Sequence, residues 1–153
     1  MISTSRTNSN DPDFQELVKA LDIELQIRDG EEHAFYAQLN KTDHIKHVIV
    51  AWENNEAVGC GALRAYTEDI MEVKRMFVPL QHRRKGIASG VLSELENWCR
   101  ELGYKKCILE TGKNQPEAIA MYQRNQYKII PNFGKYAGVE NSVCFEKDFG
   151  KES

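Results

Sequence analysis

The chain contains no run of about 18 apolar residues, so no stretch of it reads as a transmembrane helix and no membrane partner is expected. Its opening residues, MISTSRTNSN, lack the apolar core of a secretory signal, and the expected location is the cytoplasm. Cysteine is sparse. The four, Cys60, Cys99, Cys107 and Cys144, form no Cys-x-x-Cys pair and sit among apolar neighbours, which points to free buried thiols and away from zinc or dithiol chemistry. His44-x-x-His47 has metal-like spacing but no third ligand, so no metal is expected. There is no internal repeat or low-complexity segment, and no large excess of one charge. With 20 Lys and Arg against 23 Asp and Glu, the net charge is -3, which argues against a general nucleic-acid binder. What remains is an ordinary globular composition, 41% hydrophobic over 153 residues, enough for one domain spanning 1–153 with a real core.

Residues 2–7 are Ser/Thr-rich and read as a first edge strand. Asn10 or Asp11 before Pro12 resembles a helix cap, and Phe14, Leu17, Val18, Leu21 and Leu25 recur at helical spacing, predicting a helix to about Arg28 with a stop near Gly30. A second helical piece is expected over Glu31–Leu39. The period then changes. His47–Trp52 is a β-branched run, Asn54-Asn55 offers a hairpin turn into Ala57–Arg64, and Met71–Val78 follows as the third strand of a meander. Gly59 and Gly61 would weaken the middle strand unless something packs close to its backbone.

The stretch Val73–Leu92, VKRMFVPLQHRRKGIASGVL, runs from that strand through a basic turn directly into an amphipathic helix. Free N–H groups and the positive dipole end at a helix start favour an anion there, and Gly86 and Ala88 permit close approach. Arg83, Arg84 and Lys85 add cations, so a pyrophosphate suits the turn. The helix should lay Ile87, Val91, Leu95, Trp98 and Leu102 on the sheet and end at Gly103. Lys106–Glu110 then reads as a strand parallel to Met71–Val78, followed by a helix from Gln115-Pro116-Glu117 to about Arg124 and closing strands at Tyr127–Ile130 and Ser142–Lys147.

Arg83-x-x-Gly86-x-Ala88 after a strand resembles the acetyl-CoA signature of the GCN5-related N-acetyltransferases, the GNAT family. Glu72–Pro79 is similar to the family strand before its pyrophosphate turn, and Ala118–Tyr122 followed by Tyr127 to its second motif. The likeness spans nearly the whole chain, with departures at Gln115 and Gln126. It implies an α/β fold with a mixed, mostly antiparallel sheet of about six or seven strands and about four helices. It also implies an enzyme that acetylates a primary amine from acetyl-CoA, by direct transfer in a ternary complex, and admits a homodimer. A small-molecule acceptor, a small amine or an amino-acid-like compound, is the first expectation; a protein lysine or N-terminus, or a non-catalytic acyl-CoA-binding module, are the alternatives.

The resemblance assigns Glu72 as general base and Tyr122 as hydrogen-bond or proton donor to the departing thiolate. Strand alternation also puts Lys74 on the face of Glu72, so an ion-paired carboxylate is the competing reading. Backbone groups of Met76, Phe77 and Val78 are implied as partners of the pantetheine and thioester, and Arg83, Arg84, Lys85, Gly86, Ile87, Ala88 and Ser89 as the pyrophosphate cradle, with Gln115 a further contact. Asn132, Phe133 and Tyr136 are candidates for the acceptor side.

Overall fold

A computed structural model describes residues 1–29 and 45–151. The elements run β1 (Ser3–Thr7), α1 (Pro12–Asp29), β2 (His47–Glu53), β3 (Glu56–Ala65), β4 (Ile70–Phe77), α2 (Ile87–Glu101), β5 (Lys106–Gly112), α3 (Pro116–Arg124), β6 (Lys128–Ile130) and β7 (Ser142–Asp148). The expected helix over Glu31–Leu39 and the stop at Gly30 lie outside the described residues. Asp11 caps α1, its Oδ1 accepting from the N–H groups of Asp13 at 2.9 Å and Phe14 at 3.1 Å. The Asn54-Asn55 hairpin forms with both residues at positive φ, 51° and 65°.

Seven strands build one sheet in the order β1-β2-β3-β4-β5-β7-β6, antiparallel except between β4 and β5. This is the mixed, mostly antiparallel α/β architecture that the resemblance implied. A core of Ile49, Leu63, Val73, Leu109 and Phe145 meets α2 and α3 on one face. On the other face Val48, Val50, Cys60, Ala62 and Phe77 pack under Phe14, Leu17 and Leu21 of α1. Gly59 and Gly61 are where α2 comes closest to the sheet. A methyl at Gly59 would stand 2.8 Å from Ile87 Cγ2, and one at Gly61 would stand 2.5 Å from Met76 Sδ and 2.8 Å from Leu95 Cδ1.

The buried stripe of α2 differs from the expected one. Ile87, Val91 and Leu95 are buried, but the stripe continues through Leu92 and Cys99, while Leu102 is 43% exposed and Trp98 is only partly covered. The reason is geometric: at 3.6 residues per turn, Leu92, Leu95 and Cys99 share one side. Trp98 instead packs edge-on against His47 and beneath the Arg6 guanidinium. All four cysteines are free and buried, and no helix among the described residues is long and apolar enough to cross a membrane.

Two features of β4 shape everything that follows. Its pairing with β5 covers only Ile70–Glu72 against Lys106–Ile108, after which β5 continues along β7 and the two strands part. A bulge also interrupts the β3–β4 ladder between the pairs Ala62–Lys74 and Cys60–Phe77, so Arg75 and Met76 together face Gly61. Arg75 sits at φ 56°, a left-handed conformation.

Candidate active site

The parting of β4 from β5 opens a cleft of about 620 Å³ that continues into solvent. Both sides of the sheet contribute to it. Tyr122 of α3 belongs to the α2-side core, in ring contact with Tyr127 and Phe145. From the α1 side come Leu21, Leu25, Glu72, Lys74, Arg75 and Glu110, with Tyr136 from the segment before β7. Alternation places Glu72 and Lys74 toward α1, and the bulge adds Arg75 to the same side while sending Met76 over Gly61.

Glu72 and Lys74 are 9% and 7% exposed, and Lys74 Nζ lies 3.5 Å from Glu72 Oε2 and 3.5 Å from the Tyr136 hydroxyl. Burial pushes the Lys74 ammonium below its usual value, and the carboxylates of Glu72 and Glu110 oppose that shift. Burial first, and then Glu110, push the Tyr122 hydroxyl above its usual value, so it remains a hydrogen-bond donor throughout the neutral range. Tyr136 is raised in the same way by burial, Glu110 and Glu72. Glu110 thus acts on all three groups, and the Ser142 hydroxyl donates to its Oε2 at 2.6 Å.

At the mouth, β4 runs through Pro79 and a short 3₁₀ turn (Leu80–His82) into α2. Arg84 at φ 67° and Gly86 at φ 80° curl the chain so that the N–H groups of Gly86, Ile87, Ala88 and Ser89 find no acceptor among the described residues. A methyl on Gly86 would meet nothing within 4 Å. This donor set fits an anion such as a pyrophosphate. Arg84 is exposed beside it, and Lys85 Nζ contacts Glu53 at 3.2 Å.

Arg83 is oriented differently from the expectation that its guanidinium faces an anion. Its Nε donates to Val78 O at 2.7 Å and its Nη2 to Glu24 Oε1 at 2.7 Å, tying the turn to α1. Within the cradle, Arg83 thus offers scaffold in place of a free cation. Met76 lines the cleft, whereas Phe77 and Val78 have buried side chains and do not line it. Ser89 accepts a 3.1 Å hydrogen bond from Asn125 Nδ2, so the end of α3 is tied to the first turn of α2. Gln115 precedes α3 and lines the cleft. Gln126, which stands where the resemblance calls for glycine, adopts φ 68° and keeps the left-handed turn.

Of the acceptor-side candidates only Tyr136 lines the cleft. Phe133 is wedged between the rings of Tyr66 and Tyr136, and the Asn132 amide donates to Val139 O and Ser142 O, which shapes the loop. Sequence reasoning passed over Arg75, Glu110 and Asn125. A carboxylate directly after the apolar run Cys107–Leu109 of its strand was the available signal for Glu110.

Residues 12–127 match the acetyltransferase (GNAT) family. The chain belongs to that family. Among curated relatives it is 33% identical over 99 residues to an uncharacterised N-acetyltransferase, YsnE, of Bacillus subtilis, covering 63% of this chain and 66% of the relative. It is 36% identical over 100 residues to the IAA acetyltransferase of Azospirillum brasilense, covering 65% of each. The match thus spans just under two thirds of the length of those curated relatives. A Klebsiella pneumoniae structure assigned to the acyl-CoA N-acyltransferases superposes with a TM-score of 0.81 at 29% identity, covering 97% of this chain and 98% of that one. A GNAT acetyltransferase from Elizabethkingia anophelis with acetyl-CoA bound shares the fold at a TM-score of 0.68 and 18% identity, covering 96% and 97%.

Proposed function

We propose that this protein moves an acetyl group from acetyl-CoA to a primary amine of a small molecule, directly and without a metal, within a ternary complex. The observation that carries the reading is the split of β4 from β5 beyond Glu72, with N–H groups at its mouth that have no acceptor among the described residues and titratable side chains inside it. When bound, acetyl-CoA supplies a thioester whose C–S bond breaks as the amine forms the new C–N bond.

The residues divide the work by position. The N–H groups of Gly86–Ser89, with Arg84 and Lys85 beside them, hold the pyrophosphate, and the chain at Met76–Val78, where β4 has left β5, holds the extended arm as an added strand would. Gln115 borders the same cleft. Glu72 takes the proton that the amine loses. An arriving ammonium competes with Lys74 for that carboxylate, and the depressed ammonium of Lys74 makes it the weaker competitor. Tyr122 stabilises the departing thiolate by hydrogen bonding; its raised pKa makes complete proton transfer less favourable than donation.

Thermal-shift titration with acetyl-CoA, then thiol release across an amine panel, tests the reading. A ligand at about 100 times its Kd should add about 2.7 kcal/mol of stability. Glu72→Gln and Tyr122→Phe should each lower kcat about 100-fold with little change in acetyl-CoA affinity. No melting shift at millimolar acetyl-CoA rules the reading out. Normal amine acetylation by the double variant rules out the roles of Glu72 and Tyr122.

A further inference from the structure

Arg75 plays no part in the transfer just described, yet it is the most constrained cation in the cleft. Its side chain is 7% exposed and its backbone is held at φ 56° by the bulge, with the Cys60 thiol donating to its carbonyl at 3.4 Å. One guanidinium nitrogen, Nη1, donates to Asp22 Oδ1 at 2.8 Å. Its Nε is buried with no hydrogen-bond partner among the described residues. A buried guanidinium N–H without an acceptor is costly, and the planar fork of arginine matches a carboxylate through two parallel hydrogen bonds. Asp22 itself is 49% exposed on α1, so it secures one corner of the fork from the solvent side and leaves Nε without an acceptor among the described residues. Glu72 and Glu110, the carboxylates in the same cleft, suit an ammonium.

We propose that the acceptor is an aminocarboxylate, its carboxylate received by the Arg75 guanidinium while its amine faces Glu72. This rests on the acetyl-transfer reading for the identity of the amine, and the carboxylate site stands on Arg75 alone. The apolar walls of Leu21, Leu25 and Met76 favour an acceptor with a hydrocarbon side chain.

The test is equilibrium binding, which does not depend on turnover. Phenylalanine, phenylalaninamide and phenethylamine, and the corresponding leucine series, are titrated into the protein with and without coenzyme A. Carboxylates should bind about 10- to 100-fold more tightly than their carboxamides and plain amines. Arg75→Met should abolish that preference. Asp22→Asn should strengthen carboxylate binding about two- to fivefold by removing the competing carboxylate, a gain that misfolding does not imitate. Equal binding of acid, amide and amine, absence of carboxylate binding, or an unchanged preference in Arg75→Met would overturn the proposal. Failure of acetyl-CoA to bind in the parallel melts counts against the acetyl-transfer reading and leaves the carboxylate measurement valid.

Discussion

Substituting Gly61 by alanine isolates the contact that sets α2 against the sheet. The added methyl would lie 2.5 Å from Met76 Sδ, 2.8 Å from Leu95 Cδ1 and 2.9 Å from Val91 Cγ1. Carbon atoms pack comfortably at about 3.5–4.0 Å, so each neighbour must retreat by roughly 0.6 Å or more. Met76 is flexible and only partly buried, but Leu95 and Val91 are fully buried on α2 and have no free space to enter. The strain should cost about 2–3 kcal/mol, at the upper end for one extra methyl group. In a chain of this size that lowers the melting temperature by about 5–10 °C. Shortening Met76 to alanine in the same background relieves the sulfur contact alone, so the double variant should be about 1 kcal/mol more stable than the sum of the single losses. Urea unfolding of the four proteins gives the cycle. Acetyl-CoA titration of the same set should show weaker binding for Gly61→Ala, because Met76 lies on the β4 edge and α2 begins at the cradle. A Gly61→Ala protein melting within 1 °C of the parent, or strict additivity in the cycle, would refute the reasoning.

Gln126→Gly should stabilise the fold by about 0.5–1 kcal/mol, since an exposed glutamine at φ 68° makes way for a residue that adopts this conformation freely; a lower urea midpoint would contradict it. Alkaline pH should unfold the protein from about pH 9 upward. Burial raises the Cys60 thiol from 9.0 to about 12 and pushes Tyr122, Tyr127 and Tyr136 above 10.0. These groups stay neutral in the folded chain while they ionise in the unfolded one. Their stabilisation is therefore complete below the unfolded pKa and lost as pH climbs toward the folded one, at about 1.4 kcal/mol per pH unit per group. Melting temperatures that hold flat between pH 9 and 11.5 would contradict the burial.

Much of this was legible because the local patterns agree with one another. The β-branched run His47–Trp52, the Asn54-Asn55 turn and the glycine-punctuated helix Ile87–Glu101 each specify an element that forms. The pairing of Glu72 with Lys74 follows from strand alternation alone. What escaped depends on partners distant in sequence or on a single inserted residue. Arg83 was read as an anion ligand because nothing nearby reveals Glu24 of α1 as its partner. Arg75 was overlooked for a related reason. Strict alternation would drive its guanidinium into the α2-side core, and that conflict was itself the sign of a bulge in β4.

The short parallel seam between β4 and β5 has a mechanical consequence. Strands β1–β4 and β5–β7 form two plates sewn together along Ile70–Glu72 and Lys106–Ile108. From the last stitch at Glu72, β4 projects five residues to Phe77, a lever of about 16 Å at the rise of an extended chain. One degree of rotation at the hem moves the tip about 0.3 Å, comparable to the tolerance of a catalytic geometry. Side chains packed behind the seam, such as Met71 and Cys107, therefore set the width of the jaw from a position that touches no ligand. Drift at such sites would retune the jaw without altering any residue of the cleft.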